Sequence, residues 1–284
     1  MAPKKIACRK LTVDAAIILV FLTAVLLVKF LPEPFQRGFF CDDESIRYPY
    51  RTSTVPSPVL YAFCLFPAVI MIDNELLRVL DEESKEALLF RSFSLFSWNV
   101  HRVFVRLYIL LGYYFFGILS TKLVTDVIKL CVGSLRPHFI EVCKPDWTKI
   151  NCSYFVTDAH CTGEDSHKFH EARRSFPSGH SSVAFFTAVF AVLYIQYRLR
   201  KRWTYRQLLK PILQLICILL AVYCAITRIQ DYKHHTTDVI GGSILGILCA
   251  WIVVVYIMKI STLDRLTRDK KLEDQNSHSG QETI

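Results

Sequence analysis

Six stretches of the chain contain no Asp, Glu, Lys or Arg and are dominated by apolar side chains: 15–28, 52–72, 107–121, 175–197, 211–227 and 239–258. The apolar positions run on continuously, whereas a membrane β-strand would alternate apolar and polar positions. A helix of about 20 apolar residues can cross a bilayer. The pattern therefore predicts an all-α integral membrane protein with six transmembrane helices. We place them near residues 11–31, 54–73, 105–131, 178–197, 211–227 and 238–260.

Polar segments flank this predicted membrane domain at both ends. Residues 1–10 form a short N-terminal segment, and residues 11–261 contain all six helices. Residues 262–284 are polar and charged and show no apolar period. We expect this last segment to be a disordered cytosolic tail.

The charges are distributed unequally between the two sides of the predicted bundle. With the N-terminus in the cytosol, the cytosolic segments carry 20 Lys and Arg residues and the opposite segments carry 11. Cytosolic loops normally hold the excess, so we predict that both termini are cytosolic. The net charge of +9 follows from this topology. The sequence has no zinc-finger, helix-turn-helix or RNA-binding signature, and we expect no nucleic-acid partner.

The opposite face is predicted to be extracellular or luminal, and two features agree with that side. The N-x-Ser/Thr sequon at Asn151 falls there and predicts a glycan. Four cysteines, Cys41, Cys143, Cys152 and Cys161, also fall there, where an oxidising compartment would let them pair. Four cysteines allow three complete pairings, and the sequence does not choose among them.

Three polar segments lie at the outer ends of the predicted spans. The first runs from Lys129 to Arg136 and Pro137, after the third span. An isolated lysine there could simply snorkel to the interface, but ionisable residues within spans usually face a cavity.

The second segment, Pro177-Ser178-Gly179-His180, opens the fourth span. Ser178 is a typical N-cap. Free N–H groups at a helix N-terminus suit a phosphate, and Gly179 lets an anion approach the backbone. The simpler interpretation is a capped helix start.

The third segment runs from Arg228 through His234 and His235 to Asp238. A carboxylate three or four residues after a histidine can fix its tautomer and leave the other ring nitrogen nucleophilic. The spacing leaves open which histidine that is. A histidine-rich surface loop is the simpler alternative.

Together the three segments supply two histidines, three cations, an orienting carboxylate and a helix N-terminus on one predicted face. Phosphoryl transfer needs such a set, because cations and amides hold the phosphate oxygens while one imidazole attacks and another protonates the leaving alkoxide. The sequence has no luminal carboxylate cluster or zinc-type spacing, so we expect no metal and no cofactor.

The three segments together resemble the tripartite signature of the type 2 phosphatidic acid phosphatase superfamily. The matching motifs are Lys129-x6-Arg136-Pro137, Pro177-Ser178-Gly179-His180 and Arg228-x5-His234-x3-Asp238. Four further stretches resemble the animal lipid phosphate phosphatases of that superfamily: 34–50, 136–139, 147–153 and 231–235. The resemblance covers roughly residues 34–260. One departure is Thr227, where the family usually has Ser.

The resemblance implies a metal-independent phosphoric monoester hydrolase with an outward-facing site. Its implied substrates are phosphatidate, lysophosphatidate, sphingosine 1-phosphate and ceramide 1-phosphate. By matching position, it implies that His234 is the nucleophile that forms a phosphohistidine, Asp238 orients it, and His180 acts as general acid and then base. The implied phosphate-binding residues are Lys129, Arg136, Arg228, Ser178 and Gly179.

The expected partners are lipid phosphates in the bilayer, and the family's tendency to oligomerise allows a homo-oligomer. The expected location is the plasma membrane, with endomembranes also allowed. Three other functions are compatible with a helical membrane protein of this kind: a sugar phosphatase or lipid phosphotransferase of the same superfamily, a transporter or channel, and a non-catalytic lipid-binding protein. A transporter predicts inverted repeats or broken half-helices, and the sequence shows neither.

Overall fold

The computed structural model of the protein describes residues 4–5, 8–30, 33–83, 92–95, 98–198 and 208–258. Helices occur at all six predicted positions: α1 (Cys8–Phe30), α2 (Ser57–Glu83), α3 (Arg102–Val132), α6 (Gly179–Arg198), α7 (Leu209–Gln230) and α8 (Thr236–Ile252). A turn of π-helix, Val253–Ile257, extends α8. The predicted tail, residues 262–284, lies outside the described residues.

Five of these helices are long and apolar enough to cross a membrane: α2, α3, α6, α7 and α8 with its extension. The apolar part of α1, Thr12–Val28, is shorter than the other five. The structure thus confirms five of the six predicted spans as candidates, and the sixth, like the orientation in the membrane, stays a prediction.

Two short helices, α4 (Phe139–Cys143) and α5 (Ser166–Ala172), lie in the long connection between α3 and α6. A small sheet was not predicted. It consists of β1 (Lys4–Lys5), β2 (Ser92–Leu95) and β3 (Trp98–His101), with β1 parallel and β3 antiparallel to β2. The rest of the described fold is helical, as predicted.

Helix α6 is the centre of the bundle. It packs against α8, α7, α3 and α2, and 61% of its apolar, membrane-spanning stretch is buried. Glycines let α8 approach α6 closely: a Cβ on Gly246 would lie 2.1 Å from the Ser182 carbonyl oxygen, and one on Gly242 would lie 2.4 Å from the Ser178 carbonyl oxygen. This contact places the N-terminal ends of α6 and α8 side by side.

The segments at this end of the bundle have an apolar core of their own. Phe39, Leu135, Phe139 and Val156 are buried in it. Two disulfides, Cys41–Cys152 and Cys143–Cys161, fasten the same region. The four cysteines that the sequence places outside are therefore the four that pair, and the structure supplies the connectivity that the sequence left open. The free cysteines are Cys64, Cys131, Cys217, Cys224 and Cys249.

Candidate active site

His234 lies in the tight turn between α7 and α8. Helix α7 ends at Gln230, and Tyr232 then takes a left-handed conformation, with φ of 52°. This conformation is uncommon for a residue other than glycine. The Tyr48 ring stacks on the Tyr232 ring with centroids 4.7 Å apart, and the His138 Nδ1–H donates to the Tyr232 carbonyl at 2.7 Å. These contacts hold the turn that delivers His234 to the bundle interior.

The carboxylate of Asp238 is the hub for both histidines of this turn. Its Oδ2 lies 3.7 Å from Nδ1 of His234 and 3.3 Å from Nδ1 of His235, and it accepts the His235 backbone N–H at 2.9 Å. Ser175 also donates its hydroxyl to Oδ2 at 2.5 Å, and its oxygen lies 3.4 Å from Nδ1 of His234. The Nδ1 edge of His234 thus faces the Asp238 carboxylate, and Nε2 is the ring nitrogen on the side away from that carboxylate.

Distance to the acid alone would favour His235, so the surroundings of each ring matter more. His235 is partly exposed, and its Nε2 lies 3.1 Å from the Ser45 carbonyl oxygen. Both of its nitrogens are therefore engaged. The hydrogen bond that the His235 ring donates to Asp238 raises the pKa of His235.

His234 is only 4% exposed. Burial lowers the pKa of His234 well below its ordinary value; Asp238 opposes this shift, while the positive charges of Arg136 and Lys129 add to it. A neutral imidazole with a free Nε2 is the form that a nucleophile requires.

His180 occupies the first turn of α6, directly after Gly179. Its Nε2 is buried and has no hydrogen-bond partner in the described part of the chain. Arg228, Lys129 and Arg136 are the charged groups that act most strongly on this ring. The charges of Lys129 and Arg136 therefore act on both histidines of the signature.

Ser178 precedes α6 at the predicted N-cap position. Its hydroxyl oxygen lies 3.4 Å from the Ser181 backbone nitrogen and accepts the Ser181 hydroxyl at 3.0 Å. Its own N–H donates to the Asp238 carbonyl at 2.9 Å. The start of α6 is thereby tied to the start of α8.

The three predicted cations come from α3, the loop after it, and the end of α7. Lys129 is 9% exposed, and its ammonium makes no hydrogen bond to any described residue. It lies 3.7 Å from the point that a Cβ on Gly179 would occupy. The neighbouring Asp126 pairs with Lys122 instead. A buried cation beside a helix N-terminus suits an anionic ligand.

Arg228 is 1% exposed. Its Nη2 donates to Asp231 at 3.1 Å and to the Thr227 hydroxyl at 3.2 Å. Thr227, the one departure from the family pattern, therefore supplies the hydroxyl that a serine would. Thr54 donates its N–H and its hydroxyl to the Asp231 carboxylate at 2.8 Å and 2.7 Å, so the segment before α2 secures the Arg228–Asp231 pair.

Arg136 lies in the loop after α3, and its Nη2 donates to Oε2 of Glu171 in α5 at 3.0 Å. Burial lowers the pKa of Arg136, and Glu171 and Asp238 counter that effect. Nearby, the Lys233 ammonium lies 3.5 Å from the centroid of the Tyr50 ring, and burial lowers its pKa to about 8. Positive charge thus dominates this end of the bundle.

Ser175, Glu171, Asp231 and His138 were not among the predicted site residues. Asp231 could have been found as a carboxylate three residues after Arg228, and Ser175 from its place beside the Pro-Ser-Gly-His segment. His138 lies in the stretch 136–139 that resembles the family, whereas Glu171 gave no signal in the sequence because its partner Arg136 is distant along the chain. Asn151 lies apart from the site, in an exposed turn.

The described residues contain no group of three or more His, Cys, Asp or Glu side chains placed to hold a metal ion. A cavity of about 410 Å³ lies beside His234 and His235. Its other lining residues are Tyr48, Ile229, Tyr232, Thr236 and Thr237. The cavity therefore adjoins the ends of α7 and α8, where the bundle meets its surroundings.

Comparisons with known proteins identify the family of the chain. The family model described as "PAP2 superfamily" matches residues 110–261. Rat "Phospholipid phosphatase 1" is 38% identical over 248 residues, which cover 87% of this chain and 83% of that protein. Human "Phospholipid phosphatase 2" is 38% identical over 226 residues, covering 79% of this chain and 74% of that protein.

The fruit-fly "Putative phosphatidate phosphatase" is 35% identical over 299 residues, covering 98% of this chain and 76% of that protein. No solved structure matches. The chain therefore belongs to the PAP2 superfamily and, within it, to the animal lipid phosphate phosphatases, which are phosphoric monoester hydrolases.

Proposed function

We propose that this protein hydrolyses phosphatidate, lysophosphatidate, sphingosine 1-phosphate and ceramide 1-phosphate without a metal ion, through a phosphohistidine. One observation carries the proposal. A buried histidine, His234, has its Nδ1 edge turned to a carboxylate while Lys129 and Arg136 act on its ring. This arrangement matches a nucleophile that must attack a doubly charged phosphate.

In the first step, Nε2 of His234 attacks phosphorus. The P–N bond forms as the P–O bond to the lipid breaks, and His180 gives a proton to the departing alkoxide. Asp238 holds the Nδ1–H of His234 and stabilises the imidazolium that develops. The geometry supports these roles because Asp238 is nearly fully buried and Ser175 fixes its orientation.

In the second step, water attacks the phosphohistidine. His180, now neutral, takes a proton from the water, the P–N bond breaks, and His234 returns to its neutral form as inorganic phosphate leaves. A single residue can act as acid and then as base because the first step leaves it in the form that the second requires.

Phosphate oxygens are held by Lys129, Arg136 and Arg228, with Ser178 and Gly179 at the start of α6. Preorganised cations and amide groups stabilise charge that develops in the transition state. Three fixed cations supply the positive charge that a metal ion would otherwise provide. This supports metal-independent chemistry.

The site is proposed to face the lumen or the cell exterior, at the plasma membrane. The two disulfides support this side, because such bonds persist in oxidising compartments, and both lie in segments packed beside the site. A glycan on Asn151 would lie on the same side.

We propose that substrate reaches the site sideways from the outer leaflet. Lys129 and Arg228 lie in the last turns of α3 and α7, whereas His180 lies in the first turn of α6 and His234 lies between α7 and α8. All four therefore lie at one end of the bundle. A lipid phosphate would keep its head group at that depth while its tails remain in hydrocarbon.

The deciding experiment is phosphate release by the purified protein from a panel of lipid phosphates in mixed micelles, with and without chelator. We expect release that the chelator does not change. Hydrolysis of glycerol phosphate at the same efficiency would instead favour a sugar-phosphatase role. Absence of release from every lipid would contradict the proposal.

A further inference from the structure

The carboxylate of Glu171 is bonded to Arg136, one of the three cations proposed to bind phosphate. Glu171 belongs to α5, the short helix that precedes the Pro-Ser-Gly-His segment, and its Oε2 lies 3.0 Å from Nη2 of Arg136. The Arg136 side chain is 13% exposed, whereas the Glu171 side chain is 39% exposed. The cation is thus fixed in the interior and the carboxylate reaches it from the rim.

The other carboxylates near the site have different tasks. Asp238 accepts hydrogen bonds from Ser175 and the His235 N–H. Asp231 accepts from Arg228 and twice from Thr54. Within the described part of the chain, the only hydrogen bond of the Glu171 carboxylate is the one from Arg136. Releasing Glu171 would break that one bond and leave the rest of the network intact.

Glu171 carries its negative charge at neutral pH. Burial alone would raise its pKa, but the charges of Arg136 and Lys129 outweigh burial and leave the pKa below its ordinary value. An anion is therefore already bonded to the Arg136 guanidinium, which the phosphate of a substrate would also need, and it lies within the field of the Lys129 ammonium.

We propose that Glu171 competes with phosphate for Arg136 and Lys129 and so sets how weakly the site holds substrate and product phosphate. The proposal rests on the proposed function of the site. Phosphate binding requires the carboxylate to move toward the rim, and its return assists the departure of inorganic phosphate. Glu171 makes no contact with reacting atoms, so it determines affinity and takes no part in the chemical steps.

A competing carboxylate and an orienting carboxylate predict opposite results. If Glu171 competes, its neutralisation strengthens the binding of every phosphate, so that KM and the inhibition constant of inorganic phosphate both fall. If Glu171 orients Arg136, both constants rise. Interactions that are equal in the ground and transition states act on KM and leave kcat unchanged.

The test compares Glu171→Gln with Glu164→Gln in the full-length protein in mixed micelles. Glu164 is an exposed residue on the same connection and serves as the matched control. We expect the inhibition constant of inorganic phosphate to fall about five- to tenfold in Glu171→Gln, the effect of losing one partly exposed competing charge. It should stay at the wild-type value in Glu164→Gln. An unchanged or higher constant in Glu171→Gln would overturn the proposal.

A second measurement does not depend on turnover. Thermal stabilisation of each variant by inorganic phosphate reports phosphate affinity even where activity is lost. Glu171→Gln should be stabilised at lower phosphate concentrations than wild type, and Glu171→Asp, which keeps the charge, should respond as wild type does. A Glu171→Gln titration that overlays the wild-type titration would also overturn the proposal. Failure of the proposed function is a separate result: wild type and Glu164→Gln would then release no phosphate from phosphatidate.

Discussion

The two adjacent histidines of the α7–α8 turn share one carboxylate and yet have different surroundings. His235 is partly exposed and bonded at both nitrogens, to Asp238 and to the Ser45 carbonyl. His234 is buried, and the charges of Arg136 and Lys129 act on it. The two residues are of the same type, so the difference between His234 and His235 comes from the groups that surround each ring.

His234→Ala should abolish lipid phosphate hydrolysis, because no other group in the site is placed to form the covalent intermediate. His235→Ala is the matched control and should retain most activity. The measurement is phosphoenzyme trapped by an alkaline denaturing quench from phosphatidate labelled in its phosphate group, because a P–N bond is hydrolysed in acid and persists in base. A labelled intermediate that persists in His234→Ala would refute the assignment of the nucleophile.

Ser175→Ala should lower kcat by roughly 10- to 150-fold and leave KM nearly unchanged. Its hydroxyl is bonded to the buried carboxylate of Asp238, and loss of one hydrogen bond to a charged group costs about 1.5–3 kcal/mol. Steady-state kinetics on a single lipid phosphate measures both constants. A rise in KM with constant kcat would assign Ser175 to phosphate binding instead.

At the scale of elements, the site depends on the contact between α6 and α8. His180 begins one helix, and His234 and Asp238 lie at the start of the other. The Ser178 N–H bonds directly to the Asp238 carbonyl across the gap. Close approach of the two backbones at Gly242 and Gly246 is therefore a condition for catalysis as well as for packing.

Gly246→Ala should reduce activity per folded molecule by an order of magnitude or more. The added methyl would lie 2.1 Å from the Ser182 carbonyl oxygen, so α6 and α8 must separate, and small displacements of reacting groups cost about 100-fold in rate. Gly112→Ala is the control, because a Cβ there meets nothing within 4 Å. Activity is measured against the monodisperse fraction in size-exclusion chromatography. Equal losses in the two variants would count against this account.

At the scale of the whole molecule, one end of the bundle carries the site together with a disulfide-fastened set of loops. The Cys41–Cys152 bond joins residues 111 positions apart, so it ties the segment before α2 to the connection before α6. The same segment before α2 reaches the site through Thr54 and Asp231. Site, disulfides and sequon are therefore expected on one side of the membrane.

Glycosidase treatment should increase the gel mobility of the protein, and Asn151→Gln should have the same mobility without treatment. The side chain lies in an exposed turn within reach of a luminal enzyme. A tag after Ile284 should stain only in permeabilised cells. Staining of that tag in intact cells would reverse the proposed orientation.

The ratio kcat/KM should rise with acyl-chain length in mixed micelles at fixed surface concentration. Each methylene that substrate buries contributes about 0.8 kcal/mol, and sideways access allows tail contact while the phosphate is bound. Charge reversal at Arg136 should impair all substrates alike, because the phosphate that Arg136 is proposed to bind is the part that all of them share. A flat dependence on chain length would argue against access from the outer leaflet.

The sequence alone predicted the six long helices, and it selected the candidate site residues that remain a prediction. Long charge-free runs mark helices because a bilayer leaves few alternatives for an unpaired backbone, and helices formed at all six predicted positions. Lys129, Arg136, His180, Arg228 and His234 could be selected because their types and spacing match a known signature. These are local properties, readable without knowing which segments meet.

The tertiary structure decided what depends on segments that are distant in sequence. It pairs Cys41 with Cys152. It also brings Ser175 into hydrogen-bond contact with Asp238, 63 positions away, and Arg136 into contact with Glu171, 35 positions away. It also gives His234 and His235 different surroundings, because the burial of each ring and the charges near it depend on α3, α5 and α6 as well as on the turn itself. Spacing along one helix leaves such choices open, because a side chain acquires its pKa and its partners only when the other elements pack around it.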